Sequence, residues 1–218
     1  MTGSAILPVS IHKGKLFFLF GKETELEKSA KGFSDFGGGM EKGETIYDTA
    51  MREGAEELTG FLGNSKELRE YIHKNSEVYH INHKDQYHTH IFVIEYDETL
   101  PQLYNNNHRF LWEKLDHHYL KNTKLFEKIE IKWFSVAEMR KKIKEFRPFY
   151  QEIVKHILEE IPTIKKLVTN NNKSKNKSRR RKQTPKSSLF SRNKKHVHFV
   201  TKTQKIRKPI DRTLTPFI

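Results

Sequence analysis

The segment from Phe36 to Phe61, FGGGMEKGETIYDTAMREGAEELTGF, constrains this chain more than any other. Gly37, Gly38 and Gly39 follow one another, which permits positive φ and a close approach of backbone to a ligand. Tyr47, Met51, Ala55 and Leu58 then recur at helical spacing. They predict an amphipathic helix over Glu44–Leu58, ended by Thr59-Gly60. Glu53, Glu56 and Glu57 stand at i, i+3 and i+4, so their carboxylates leave one face. Like charges that close destabilise an isolated helix. They make sense around a hard cation, because oxygen donors suit Mg²⁺, Mn²⁺ or Ca²⁺. An ExxEE face taken alone is more often ordinary solvated charge. Gly54 costs roughly 1 kcal/mol relative to alanine in a helix, and its small size would let another element pack closely.

The spacing of the whole segment changes that balance. Five residues separate Gly38 from Glu44, seven more lead to Arg52-Glu53, and Glu56-Glu57 follow. These positions resemble the Nudix box over residues 33–62. Two departures stand out: Gly54 replaces an aliphatic residue, and the closing glycine comes one residue late, at Gly60. The resemblance implies a mixed β-sheet sandwiched between helices, an α/β (α+β) fold. It also implies an enzyme that hydrolyses a pyrophosphate linkage in a nucleoside diphosphate joined to another group, with Mg²⁺ or Mn²⁺ as cofactor. Glu53, Glu56 and Glu57 would hold the metal with the Gly38 backbone. Arg52 would orient a carboxylate, and Gly37, Gly39 and Glu44 would support the site. The box leaves the general base open. Glu127 and Glu130, before the IKWF strand, are candidates, and Glu127 is favoured as the loop residue.

The other elements fit such a fold. Ala5–Ile11 and Lys15–Phe20 read as a hairpin turned at Gly14, and Gly21–Gly32 reads as a loop. A short strand over Phe33–Phe36 precedes the glycines. Ser65–Lys74 reads as a helix, and Glu77–Asn82 and Gln86–Tyr96 as strands. In Leu100–Leu120 the Asn105-Asn106-Asn107-His108 tract reads as loop and Arg109–Leu120 as helix. Ile129–Phe134 reads as a strand, followed by a helix that Ser135 caps with Glu138 as in a capping box. Phe146–Leu158 reads as the amphipathic helix that closes the domain. Phe33, Phe36, Tyr47 and Trp133 are read as core or rim, although the first three could stack on a base. His80, His83, His88 and His90 raise a zinc reading, but without cysteine and at loose spacing exposed or partly packed histidines are favoured.

The 218 residues suffice for one buried domain plus an extension. With no cysteine, disulfides, zinc–thiolate sites and cysteine nucleophiles are excluded. The N-terminus lacks a signal-peptide pattern and no apolar run is long enough to span a membrane, so an intracellular protein without membrane contact is expected.

The net charge of +14 is unevenly placed. Residues 170–218 hold 16 of the 41 Lys and Arg and one of the 27 Asp and Glu, Asp211, which leaves 25 basic and 26 acidic residues in 1–169. A Nudix domain over 1–169 and a disordered basic tail over 170–218 are therefore expected. Arg179, Arg180, Arg181 and Lys182 suit RNA or another nucleic acid, and equally a nuclear-localisation sequence, so cytoplasm and nucleus both stay open. Val197 and Phe199 resemble the docking motif for type 1 protein phosphatase. A polycation beside a near-neutral domain points to capped RNA as substrate, and so to mRNA decapping. Dinucleotides and diphosphoinositol polyphosphates are the alternatives, as is a catalytically inactive Nudix-fold module that binds RNA or protein. The Lys- and Asn-rich style and the DFGGGMEKGET wording are also similar to Nudix proteins of large DNA viruses.

Overall fold

The structure, a computed structural model, describes residues 2–24, 31–116, 118–119 and 127–171. All of them belong to the unit Met1–Lys182. The tail residues Arg179–Lys182, Val197 and Phe199 lie outside the described residues.

β1 (Gly3–His12) is the axis of a seven-stranded mixed sheet. One edge runs parallel to β6 (Tyr87–Val93). The other edge is shared. Its first half pairs antiparallel with β4 (Phe36–Gly39), and its second half with β2 (Lys15–Glu23). β2 also pairs with β3 (Phe33–Ser34) and, on its far side, with β7 (Lys128–Ser135). β5 (Val78–His83) completes the sheet against β6. This forked pairing sets the glycine strand beside the N-terminal half of β1, where only backbone can fit.

Among the described residues, helices cover both faces of the sheet. α1 (Ile46–Glu57), α2 (Ser65–Asn75) and α3 (Thr99–Lys114) lie on one side. Their apolar side is Ile6, Leu19, Phe36, Met51, Leu58, Phe92 and Trp133. On the other side lie α4 (Val136–Lys141), α5 (Tyr150–Glu159) and α6 (residues 161–171), over a core that includes Phe18, Phe20, Phe134, Phe146 and Tyr150. Each layer thus buries an apolar stripe against one face of the sheet, which is the helix–sheet–helix sandwich expected. No helix among the described residues is long and apolar enough to cross a membrane.

Several boundaries differ from the sequence reading. β2 continues through Glu23 rather than breaking at Gly21. The asparagine tract is helical, not a loop, because Asn105 of α3 bonds both backbone groups of Ile131 on β7, at 2.8 and 3.2 Å. Those side-chain bonds replace a turn with a contact to the sheet edge. After α5 the chain does not stop near Pro162. Pro162 stands in the first turn of α6, where a missing N–H costs nothing, and Ile164 and Val168 are buried. Phe33 and Phe36 are core residues, and the Trp133 indole donates to the Asp97 carbonyl at 2.9 Å.

The four histidines do not converge. His80, His88 and His90 gather on the α1 side, with His80 Nε2 3.0 Å from His88 Nδ1. His83 points to the other face, toward Thr89 and His156. Among the described residues, no group of three His, Asp or Glu side chains is arranged to hold a metal ion.

Candidate active site

The site begins with how α1 is started. Thr45 caps it, accepting from the Asp48 N–H at 3.1 Å, while Asp48 accepts from the Thr45 N–H. This capping box satisfies two otherwise orphaned donors and leaves Glu44 just before the helix. Arg52, two turns on, reaches back. Its Nε and Nη2 bond the two Glu44 oxygens at 2.7 and 3.0 Å. The fork is bidentate, and it pulls the Glu44 carboxyl down to about 2, chiefly through these bonds, with the Glu41 N–H assisting. Glu44 also accepts from Thr49 Oγ1 at 2.9 Å. It is an anchor for Arg52, in line with the supporting role expected of it.

Arg52 spends its remaining donors on the rest of the box. Nη1 bonds Glu53 at 2.7 Å and lies 3.7 Å from Glu56, and Nη2 bonds the Gly39 carbonyl at 3.1 Å. One guanidinium therefore holds three carboxylates and the end of the glycine strand together. Gly38 faces the Glu53 carboxylate so closely that a Cβ there would lie 2.5 Å from its oxygen. A side chain at this position would push the Glu53 carboxylate aside, so glycine serves here by proximity, not by dihedral angle. The Glu53 side chain is 12% exposed and that of Glu56 37%. Both present hard oxygen donors at the surface of the cleft.

Glu57 is placed differently. It is buried, one oxygen accepting from the Gly37 N–H at 2.8 Å and the other 3.2 Å from Lys128 Nζ. Lys128 is itself fully buried and bonds Glu23 and, at 3.0 Å, Ser34 Oγ. Arg147 adds a second cation to Glu23 at 2.8 Å. Burial opposes the Lys128 ammonium, but Glu57 and Glu23 outweigh it and raise its pKa, so it stays charged. Burial pushes the Glu57 carboxyl up, and Lys128 pulls against that. Tyr104 of α3 closes the region, its hydroxyl donating to the carbonyls of Glu57 at 3.3 Å and Lys128 at 3.1 Å.

Sequence reasoning missed Lys128, Glu23, Arg147 and Tyr104. Alternation along KIEIKWFS puts Lys128 on the side of Glu130 and Lys132. The register shifts, however, so that Lys22–Glu23 on β2 spans Glu130 back to Lys128 on β7. One extra residue in β7 re-aims Lys128 into the interior. Of the candidate bases, Glu127 stands immediately before β7 with its carbonyl accepting from the Thr24 N–H at 3.0 Å. Glu130 lies within β7, 3.9 Å from Lys22.

Both departures from the motif have a local cause. A Cβ on Gly54 would lie 2.4 Å from Ile6 Cδ1, so Ile6 of β1 supplies the apolar bulk that an aliphatic helix residue would. The helix end takes two left-handed residues, Thr59 (φ 51°) and Gly60 (φ 70°), whose N–H groups bond the Glu56 and Ala55 carbonyls at 2.8 and 2.9 Å. The terminal glycine is displaced by one because Thr59 accepts the strained position.

Comparison with known proteins identifies the family. The family model described as NUDIX domain matches residues 3–157. No curated protein matches. Among solved structures, a Nudix hydrolase from M. smegmatis, RenU, is 13% identical, with 75% of this chain and 88% of that one covered and a TM-score of 0.46. A C. elegans Ap4A hydrolase is 13% identical, with coverage of 75% and 96% and a TM-score of 0.39. A bifunctional NMN adenylyltransferase/ADP-ribose pyrophosphatase from Francisella tularensis, complexed with AMP and a Mn ion, is 17% identical, with coverage of 73% and 42% and a TM-score of 0.39. A family match over residues 3–157 takes in every carboxylate described above, and the chain belongs to the Nudix family.

Proposed function

We propose that this Nudix protein is a divalent-metal-dependent hydrolase of a pyrophosphate linkage in a nucleoside diphosphate-linked substrate, and that capped RNA is the form it acts on. The observation that carries the hydrolase reading is the single guanidinium of Arg52 binding Glu44 and Glu53 within reach of Glu56, with Gly38 pressed against Glu53. That construction is excessive for a solvated helix face. It fixes carboxylates whose mutual repulsion would otherwise splay them.

The donor set fits Mg²⁺ or Mn²⁺, since it is all oxygen and partly exposed. Glu53 and Glu56, with the Gly38 backbone, would hold the ion, and Glu57 would join them only by giving up a bond to the Gly37 N–H or Lys128. When bound, it would neutralise phosphate charge and act as a Lewis acid. The protein's own groups do the rest. Arg52 orients Glu53 and lies beside Glu56. The buried Lys128 compensates Glu57 and holds the end of α1 against β7. Glu127 and Glu130 remain the groups to take a proton from attacking water, Glu127 by its place at the strand start. The basic segment Arg179–Lys182 supports the capped-RNA reading through phosphate contacts that weaken with salt.

The test is hydrolysis of a panel of Ap4A, GpppG and capped RNA with Mn²⁺ or with EDTA. Wild type should turn over at least one member only with metal, and Glu56→Gln should lose on the order of 10²-fold or more in kcat. Equal, poor turnover by both proteins would leave a binding module in place of an enzyme. Replacing Arg179, Arg180, Arg181 and Lys182 by alanine should raise KM for long capped RNA and spare GpppG. An equal effect on both would remove the RNA reading.

A further inference from the structure

A cavity of about 560 Å³ lies between the C-terminal half of α3 and the start of β7. It is walled by Asn105, Arg109, Trp112, Glu113, Ile129 and Glu130. Its walls adjoin the buried Glu57–Lys128 cluster. Tyr104, next to Asn105, touches the Glu57 and Lys128 carbonyls, and Ile129 and Glu130 directly follow Lys128. The helix wall is fixed, because Asn105 bonds both backbone groups of Ile131. The volume is that of a small-molecule pocket, ample for a nucleoside.

The lining selects among bases. Trp112, half-buried and stacked with His108 at 5.8 Å and 17°, supplies an aromatic plane. Glu113 and Glu130 are carboxylate acceptors, and Arg109 is a forked donor at the same cavity. Guanine presents adjacent N1–H and N2–H donors, which a carboxylate accepts together, and O6 and N7 acceptors, which suit arginine. Adenine turns its N1 lone pair toward the same carboxylate. We infer that this cavity is a base subsite selective for guanine, with Trp112 stacking on the base and Glu113 reading its N1–H and N2–H edge. The inference rests on reading the Glu53–Glu57 site as acting on nucleotide pyrophosphates.

Calorimetric titration of the full-length protein with GMP and with AMP tests it. GMP should bind about tenfold or more tighter than AMP, and Trp112→Ala should weaken GMP by about tenfold or more. Trp112→Phe should retain most of the affinity, which guards against a folding defect in the alanine variant. Glu113→Gln should bring the two affinities together. Equal affinities in wild type, no GMP binding, or GMP affinity indifferent to Trp112→Ala would each overturn the subsite. Hydrolysis of GpppG is scored separately. A selective GMP response in a protein that hydrolyses nothing would discard the hydrolase reading and keep the subsite.

Discussion

α1 carries two clusters of acids and bases that differ in solvation more than in composition. At the cleft, Arg52 joins Glu44, Glu53 and Glu56 with side chains 12–37% exposed. At the helix end, Lys128 joins Glu57 and Glu23, all three nearly inaccessible, and Arg147 joins Glu23. In the first cluster water screens the charges, so geometry matters more than energy, and the forked guanidinium serves as a jig. In the second, each charge would be costly alone and is tolerated only because its partners are present. The consequence is a division of labour. The exposed cluster can rearrange when a ligand enters, while the buried one pins the helix to the sheet.

The sharpest way to break this comparison is Lys128→Met. Removing one member of the buried set leaves Glu57 without a cation and Glu23 with Arg147 alone, and urea denaturation should show a loss of about 3–5 kcal/mol. A loss no larger than that from altering Arg52 would erase the distinction.

Next in size is the pH response of another buried acid. Burial raises Asp35 from 3.8 to about 6, against hydrogen bonds from Tyr87 and Thr89 and the charge of Lys128. The folded state therefore takes up a proton more readily than the unfolded chain, and Asp35 contributes stability as pH falls from about 6 toward 3.8. His83, lowered to about 4 by burial and by His156, works the other way, losing stability as pH falls from 6.5 toward 4. Asp35→Asn should leave the histidine effect alone. Its stability should fall relative to wild type by on the order of 2–3 kcal/mol between pH 7 and pH 4. Parallel pH curves for the two proteins would count against a raised pKa at Asp35.

Arg52→Lys probes the jig. It keeps the charge and loses the fork, so stability should change by about 1 kcal/mol or less while kcat drops about 10–100-fold. A stability loss matching that of Lys128→Met would show that the exposed cluster is a structural staple. The smallest effect belongs to Arg69, whose 2.6 Å pair with Asp48 is as short as the others but faces water. Arg69→Ala should leave the urea midpoint within error. A clear shift would mean that distance, not solvation, ranks these pairs.

What could be read beforehand follows the same division. The helix, the cap at Ser135 and the close approach at Gly54 depend on neighbours in sequence or on a hole that a small residue announces, whereas the glycines, read as following the Phe33–Phe36 strand, form a strand of their own because β1 pairs with them. The asparagine tract misled because its helix is held by a side chain bonding a strand 26 residues away. Lys128 was hidden by a shift in strand register, since a bulge reverses the side that alternation assigns. The guanine subsite had no local pattern at all, being assembled from one face of α3 and the first residues of β7.

The forked pairing of β1 has a consequence for how the protein is made. Among the described strands β4 pairs with β1 alone, and β1 is flanked by β6, more than 80 residues later in the chain. The Lys128–Glu23 contact closes over 105 residues. On a ribosome, then, the glutamate-bearing helix emerges after β1 and β4, on which it packs, but β1 waits for β6 and Glu57 waits for Lys128 on β7. The nascent chain must carry Glu57 without its cation for about 70 residues, a window in which a chaperone or a divalent ion could act on it before any substrate does.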